Sequence, residues 1–445
     1  MQRRLGLLNA TTINMSNMVG IGPFIAIALI LKTLGGPQAY LAWVVGTVIA
    51  LADGMVVAEL GAAKPAAGGT YVFLREGFGS KTWGRMLAFL FVWQILFAGP
   101  LEIASGNIGL VQYLRVFLPD LGELHGKFLA AAICALLVYA LYRRIDDIAK
   151  LMFCLWSVML LTTGWVIVTG ILHFDPALAF DLPENAFRLD LGFLLSLGEG
   201  SAEVLYLFLG YYQVCYLGAE VKEPGRTIPR AVLYSILAVA AIDVAISFSF
   251  IGVVPWRDAM ESQFLGALFI ERVYGPWAAK VLAGMIVVTA FGSIFALLLG
   301  YSRVPYAAAR DGVFFRQLAV LHPTKEFPHR SLLLIGAGAA AASFFSLDAV
   351  IKALMAARIL IQFIGHTIAL FLIRARGQPE GRPFSMPGYP LPAIVSLVGY
   401  IYVFVSLGTS FVLFGIGTLL IGAVAYLLIA RRQREWPFYA RSGKP

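Results

Sequence analysis

Long apolar runs decide what this chain is able to fold into. A helix needs roughly 20 apolar residues to cross the hydrocarbon core of a bilayer, and about twelve stretches here reach that length. With boundaries good to a few residues, they fall at about 9–33, 40–62, 85–114, 127–143, 149–172, 194–221, 231–254, 278–308, 331–346, 349–373, 391–411 and 413–430. One water-facing core does not call for so many such runs. Composition agrees: the 445 residues are 60% hydrophobic and 13% charged, where a soluble domain would carry roughly a quarter charged. The expected class is an all-α integral membrane protein of about twelve transmembrane helices. No soluble domain, repeat array or low-complexity tract stands out. The first run carries no small-residue cleavage site and continues as a span, so it reads as retained rather than as a signal peptide.

The net charge of +9 suits membrane topology better than nucleic-acid binding, because Lys and Arg collect in cytoplasmic loops. Placing Arg3 and Arg4 inside makes every even-numbered connection cytoplasmic. Those connections hold Lys64, Arg75, Lys81 and Arg85; Arg143, Arg144 and Lys150; Lys222, Arg226 and Arg230; Arg310, Arg316, Lys325 and Arg330; and Arg374, Arg376 and Arg382. The tail adds Arg431, Arg432, Arg434, Arg441 and Lys444. The other side is sparser, with Lys32, Arg115, Lys127, Arg188, Arg257, Arg272 and Lys280. Both termini are therefore expected in the cytoplasm, with the chain in the cell (inner) membrane. The outer loop 173–193 carries Asp175, Asp181, Glu184 and Asp190, either capping an outward opening or simply solvated.

Several function classes find no support. The three cysteines, Cys134, Cys154 and Cys215, lie in apolar runs without zinc-ligand spacing, so no metal is expected. The five histidines are scattered, and neither an H-E-x-x-H nor a G-x-S-x-G pattern occurs. An intramembrane enzyme would need such a constellation. A P-loop is missing, which argues against ATP-driven transport by this chain alone, and no cofactor is expected. A channel or non-transporting sensor remains as the outside reading, although no repeated filter or pore loop is evident.

Two interruptions of the helical pattern stand out. The first run contains Val19-Gly20-Ile21-Gly22-Pro23-Phe24 near its middle. Two glycines weaken the helix, and Pro23 withdraws an amide and clashes with the preceding turn. Proline also favours the first turn of a new helix, so the run reads as a stop and restart at mid-membrane depth. Broken backbone there is tolerated only where it lines a cavity or is buried in protein. The sixth run carries Leu209-Gly210-Tyr211-Tyr212-Gln213 at similar depth. Each is the first helix of a five-helix set, and matching interruptions in two halves point to a transporter's binding site. The restarted first helix aims free amides and a positive dipole end at the midplane, which suits a carboxylate. The helix ends that meet it expose carbonyls, which suit an ammonium. A zwitterionic α-amino acid carries both charges.

Five motifs, in order, resemble the amino acid–polyamine–organocation permease superfamily over nearly the whole chain. Gly20-Ile21-Gly22-Pro23-Phe24 is similar to that family's helix 1 break. Ala58-Glu59-Leu60 with Pro65-Ala66-Ala67-Gly68-Gly69-Thr70-Tyr71 is similar to its helix 2 to helix 3 signature. Glu220-Val221-Lys222-Glu223-Pro224 with Thr227-Ile228-Pro229-Arg230 resembles the end of helix 6. Ser302-Arg303 with Ala309-Arg310-Asp311-Gly312 resembles the end of helix 8, and Arg382-Pro383-Phe384 with Pro387-Gly388-Tyr389-Pro390 the loop before helix 11.

The resemblance implies a LeuT-like inverted 5+5 repeat: 1–172 as the first repeat, 173–375 as the second, and 376–445 as accessory helices 11 and 12 with a tail. It implies a secondary transporter of amino acids working by alternating access. It places Gly20, Ile21, Gly22, Phe24, Tyr206, Gly210 and Tyr211 at the substrate, with Tyr206 closing over it, and Ser293 near an ion position facing helix 1. Two departures matter. Ile21 stands where many members have a hydroxyl, leaving only backbone amides for a carboxylate. Ser157-Val158-Met159 lacks the helix 5 lysine of some proton-linked members, and Lys150 lies nearer the end.

Acids at membrane depth are costly, about 2.5–3.5 kcal/mol at a helix centre, and default to functional hypotheses. Glu102 follows Gly99-Pro100, with Ser105 and Asn107 close in sequence. It is expected to face the cavity and either carry a proton or pair with a cationic substrate. Glu59, near the cytoplasmic end of its helix, is expected to pair with a loop base. Asp53 and Asp243 divide evenly between structure and function. Glu199 and Glu203 read as a solvated helix start, or as a lure for cations. Arg358 and His366, two turns apart, read as packing or hydrogen-bonding groups. Trp93, Tyr206, Tyr211 and Tyr212 are candidate substrate aromatics. A proton is the expected coupling ion, with sodium and exchange open; a polyamine or cationic amino acid permease is the alternative.

Overall fold

A computed structural model describes residues 3–66, 68–142, 148–323, 327–377 and 383–438. Ala67, Arg143, Arg144, Lys325, Arg382, Arg441 and Lys444, and the side chain of Lys150, lie outside these residues. Among the described residues the chain is helical, and its one β-type pairing is an isolated bridge between Leu5 and Val221.

The first span is broken as its sequence demands. Helix α1 (Leu7–Met18) ends, and α2 (Gly22–Leu34) restarts at a bend of 54° with Pro23 in its first turn. Helix α3 (Tyr40–Ala63) returns across the molecule, and the short α4 (Thr70–Gly77) leads into α5 (Trp83–Leu114). Then follow α6 (Glu123–Tyr142), α7 (Ile148–Leu172) and a turn of helix, α8 (Pro176–Ala179). The sixth span is also interrupted: α9 (Leu191–Leu207) gives way to turns over 208–212, and α10 (Gln213–Tyr216) is a single turn.

Helix α11 (Pro224–Ile251) crosses back. Two short helices, α12 (Trp256–Glu261) and α13 (Leu265–Tyr274), precede the 35-residue α14 (Pro276–Arg310). Helices α15 (His329–Ala342), α16 (Leu347–Arg358), α17 (Gly365–Ala375), α18 (Leu391–Ser406) and α19 (Thr409–Gln433) complete the chain. A stretch of π-helix over Ile359–Ile364 joins α16 to α17. Gly408, at φ +89°, parts α18 from α19 in a backbone conformation that glycine adopts without strain.

Eight of the described helices are long and apolar enough to cross a membrane, nine with the bent α1–α2 pair taken as one span. Each of the twelve expected segments holds a helix, but α9, α15 and α18 are shorter than a full crossing. The surface explains the long runs. Leu161, Ile171, Leu420, Ile421 and Val424 point outward from α7 and α19, an apolar exposure that water would not tolerate and lipid accepts.

Contacts between connections place both described ends on one face. Leu5 pairs with Val221, Gly68 N donates to Tyr216 O, and Arg85 reaches both the Gly312 carbonyl (3.3 Å) and Glu435 (2.7 Å). Glu59 takes a bidentate fork from Arg374, at 2.7 and 2.5 Å; this base ends α17 rather than lying in a loop. On the opposite face three acids of loop 173–190 have definite partners. Asp175 caps α8 and Asp190 caps α9. Asp181 accepts from Arg257 (2.7 Å) and Trp256 (3.0 Å), and the guanidinium holds its carboxyl below the usual carboxylate range.

Candidate functional site

At the break between α1 and α2 lies a small cavity, partly open to solvent. Ser16 to Met18, Gly20, Ile21 and Gly22 form one wall. Tyr206, Leu207 and Leu209 of the sixth span form another, and Glu102 and Gly106 of α5 with Ser293, Ala296 and Leu297 of α14 complete it. The glycines are set by packing as well as by the break. A Cβ on Gly20 would stand 2.5 Å from Ser293 Oγ, and one on Gly22 would stand 2.8 Å from Leu207 Cδ2.

Backbone groups are available at the cavity. Val19 N still closes onto Met15 O, and Phe24 N onto Ile21 O. Among the described residues the amides of Gly20 and Ile21 find no backbone acceptor. On the sixth span, Phe208 N and Leu209 N turn back onto Leu205 O and Tyr206 O. No described backbone amide donates to the carbonyls of Leu207 and Leu209, both on the cavity wall. Residues with unpaired backbone donors on one broken helix and unpaired backbone acceptors on the other thus line the same cavity. Asn14 of α1 links the two breaks. Its Oδ1 accepts the amide of Val214 (2.8 Å), an orphan donor of α10.

The expected site residues divide. Gly20, Ile21, Gly22, Tyr206, Glu102 and Ser293 line the cavity; Phe24, Gly210 and Tyr211 do not. Phe24 turns away and packs on Phe250, and its carbonyl accepts from Tyr113 (2.9 Å). Gly210 sits at φ +126° with Asn17 against it; a Cβ there would be 2.7 Å from that of Asn17. Ser105 donates to the Glu102 carbonyl (2.7 Å), which leaves Tyr206 to donate to Ser105 (2.9 Å) and fixes its ring over the cavity. Ser293 lies on the face of Gly20 and donates to Thr289 O of its own helix (3.1 Å). Trp93 lies elsewhere, donating to Thr418 O (2.9 Å).

Two buried polar networks hold the sixth-span break. In the first, Arg358 donates to Glu102 (2.5 Å) and to the hydroxyls of Tyr301 and Tyr212, while Tyr301 donates to the same Glu102 oxygen (2.5 Å). In the second, fully buried Asp53 accepts from Tyr211 (2.5 Å), His366 Nε2 (2.8 Å) and Ser396 (2.9 Å). Adjacent tyrosines of one turn thus reach opposite networks. Arg358 and His366 serve different carboxylates, with the π-helical stretch between them. Sequence reading missed the Glu102–Arg358 pair, because its members stand 256 residues apart. Asp243 is buried, and neither of its carboxylate oxygens has a partner among the described residues.

The amino acid permease family model matches residues 5–430 of the chain. An uncharacterized transporter of Mycobacterium tuberculosis is 30% identical over 98% of this chain and 94% of its own length. A serine/threonine exchanger of Bacillus subtilis is 27% identical over 91% of this chain and 90% of its own. A branched-chain amino acid permease of the same organism is 24% identical over 98% and 94%.

Proposed function

Because the chain belongs to the amino acid permease family, within the amino acid–polyamine–organocation superfamily, we propose that it carries a neutral α-amino acid across the cytoplasmic membrane as a secondary transporter. The observation that carries the substrate class is the cavity at the first break. There the amides of Gly20 and Ile21 suit a carboxylate, and the carbonyls of Leu207 and Leu209 suit an ammonium. Ile21, Leu207, Leu209, Ala296 and Leu297 offer an apolar wall to a side chain.

The alternative, a polyamine or cationic amino acid substrate, needs a carboxylate for its extra charge. Glu102 is the acid on the cavity wall, and Arg358 and Tyr301 already neutralise it. This favours the neutral substrate. Residues 1–172 and 173–375 act as the two inverted repeats, each opening with a broken helix, and 376–445 supplies the accessory helices. Both termini face the cytoplasm. The structure then corresponds to a state closed to the outside. On that side Tyr113 donates to Phe24 O and accepts from Gly266 N of α13, which seals the loop helices over α2.

Uptake of labelled amino acids and polyamines into proteoliposomes, with and without a pH gradient, tests the reading. Saturable uptake of a neutral amino acid supports it. Uptake of a polyamine alone overturns the substrate class, and no saturable uptake of any compound overturns transport.

A further inference from the structure

Beyond the cavity, on the face opposite the termini, three carboxylates crowd one lysine. Glu199 and Glu203 lie one turn apart on α9, and Asp348 and Lys352 one turn apart on α16. Carboxylate oxygens of Glu199, Glu203 and Asp348 lie within 4.8 Å of one another. Lys352 Nζ bridges Glu199 (2.5 Å) and Asp348 (2.9 Å). Glu203 stands apart. It is 1% exposed; one oxygen accepts from Thr33 of α2 (3.0 Å) and the other has no donor among the described residues.

One ammonium cannot balance three carboxylates. A buried carboxylate with an unsatisfied oxygen is costly, and neighbouring like charges oppose its ionisation further. A metal ion is a poor remedy, because Lys352 already holds two of the three acids it would need. A proton is a sufficient one: it removes the charge and fits without added space.

We propose that Glu203 is a proton-binding site whose occupancy closes the face opposite the termini. The proposal rests on the alternating-access reading above and adds where a coupling proton binds. Glu203 joins α2, α9 and α16 at that face. When they part, water reaches the carboxyl and the proton leaves. The closed state holds one more proton than the open state, so acid favours closure and closure is lost as pH rises.

The other groups around Glu203 are accounted for. Helix α2 presents the Thr33 hydroxyl, while Lys32 beside it is exposed. Asp53 of α3 is committed to Tyr211, His366 and Ser396, and Arg358 of α16 to Glu102. Tyr402 of α18 donates to the Leu194 carbonyl (2.5 Å).

Electron–electron resonance distances between spin labels at Leu191 and Phe345 test this, both positions being exposed on that face. The protein is purified into nanodiscs with Cys154 replaced by serine and no substrate added. The short-distance population is expected to fall as pH rises, its ratio to the long one changing by up to about tenfold per pH unit for one proton. Glu203→Gln should keep the short distance at every pH. Should that variant not fold, Thr33→Val serves instead. It strips the donor that favours the charged form and should move the midpoint to higher pH. A wild-type distribution insensitive to pH, a Glu203→Gln protein with the wild-type slope, or an unmoved midpoint in Thr33→Val overturns the proposal. The readout needs no substrate, so a failure of amino acid uptake would not affect it.

Discussion

Gly20 shows how little freedom single residues have at the cavity. With Ser293 Oγ 2.5 Å from the Cβ that Gly20 lacks, Gly20→Ala should cost about 1–3 kcal/mol through overpacking. Adding Ser293→Ala removes that oxygen and leaves the serine Cβ position at 3.4 Å, an ordinary contact. The double variant should recover most of the loss in a thermal unfolding series. Independent, additive losses would contradict the account. The Glu102–Arg358 pair behaves differently. Arg358→Met strands a buried carboxylate and should cost about 3–5 kcal/mol. Combining it with Glu102→Gln should return much of that, giving a large coupling in a double-mutant cycle. Sequence marked Glu102 as a lone acid in an apolar helix. It gave no sign of the arginine that answers it, because hydropathy registers each charge and not its partner. The same blindness made Glu203 a solvated helix start. The helix begins twelve residues earlier, at Leu191, and buries it.

Among elements, the two breaks were unequally legible. Two glycines and a proline made the first plain, since each weakens the helix by a separate mechanism. The second rested on one glycine and on its position in the chain. Gly210 does lie at φ +126°, yet the reduction of α10 to one turn and the π-helical stretch between α16 and α17 leave no local signature. What holds the second break is long-range: Tyr211 on Asp53 and Tyr212 on Arg358. A hydrogen bond to a charged group contributes about 1.5–3 kcal/mol. Tyr211→Phe should therefore speed hydrogen exchange across 208–216, measured by mass spectrometry, while peptides from α19 keep the wild-type rate. Unchanged exchange at 208–216 would mean that the break is held by packing alone.

For the whole molecule, the apolar runs told most of the architecture. Every expected segment holds a helix, and the outward Leu, Ile and Val of α7 and α19 show why the runs had to be so long. Short helices escaped detection: α12 and α13, which close over α2, are too brief and too mixed in composition to read from periodicity. The proposed orientation rests on the lysine and arginine bias. With Cys154 replaced, Glu184→Cys should react with an impermeant maleimide in intact cells, and Gln433→Cys only after permeabilisation; the reverse pattern would invert the proposed topology. The account as a whole turns on peptide groups of two interrupted helices holding opposite charges of one small molecule. Competition against uptake of a labelled neutral amino acid, by the same compound, its methyl ester and its deaminated acid, measures that directly. Loss of either charge should weaken competition by about a hundredfold or more, since a site built to bond both is left unpaired. An ester or a deaminated acid that competes as well as the parent would contradict it.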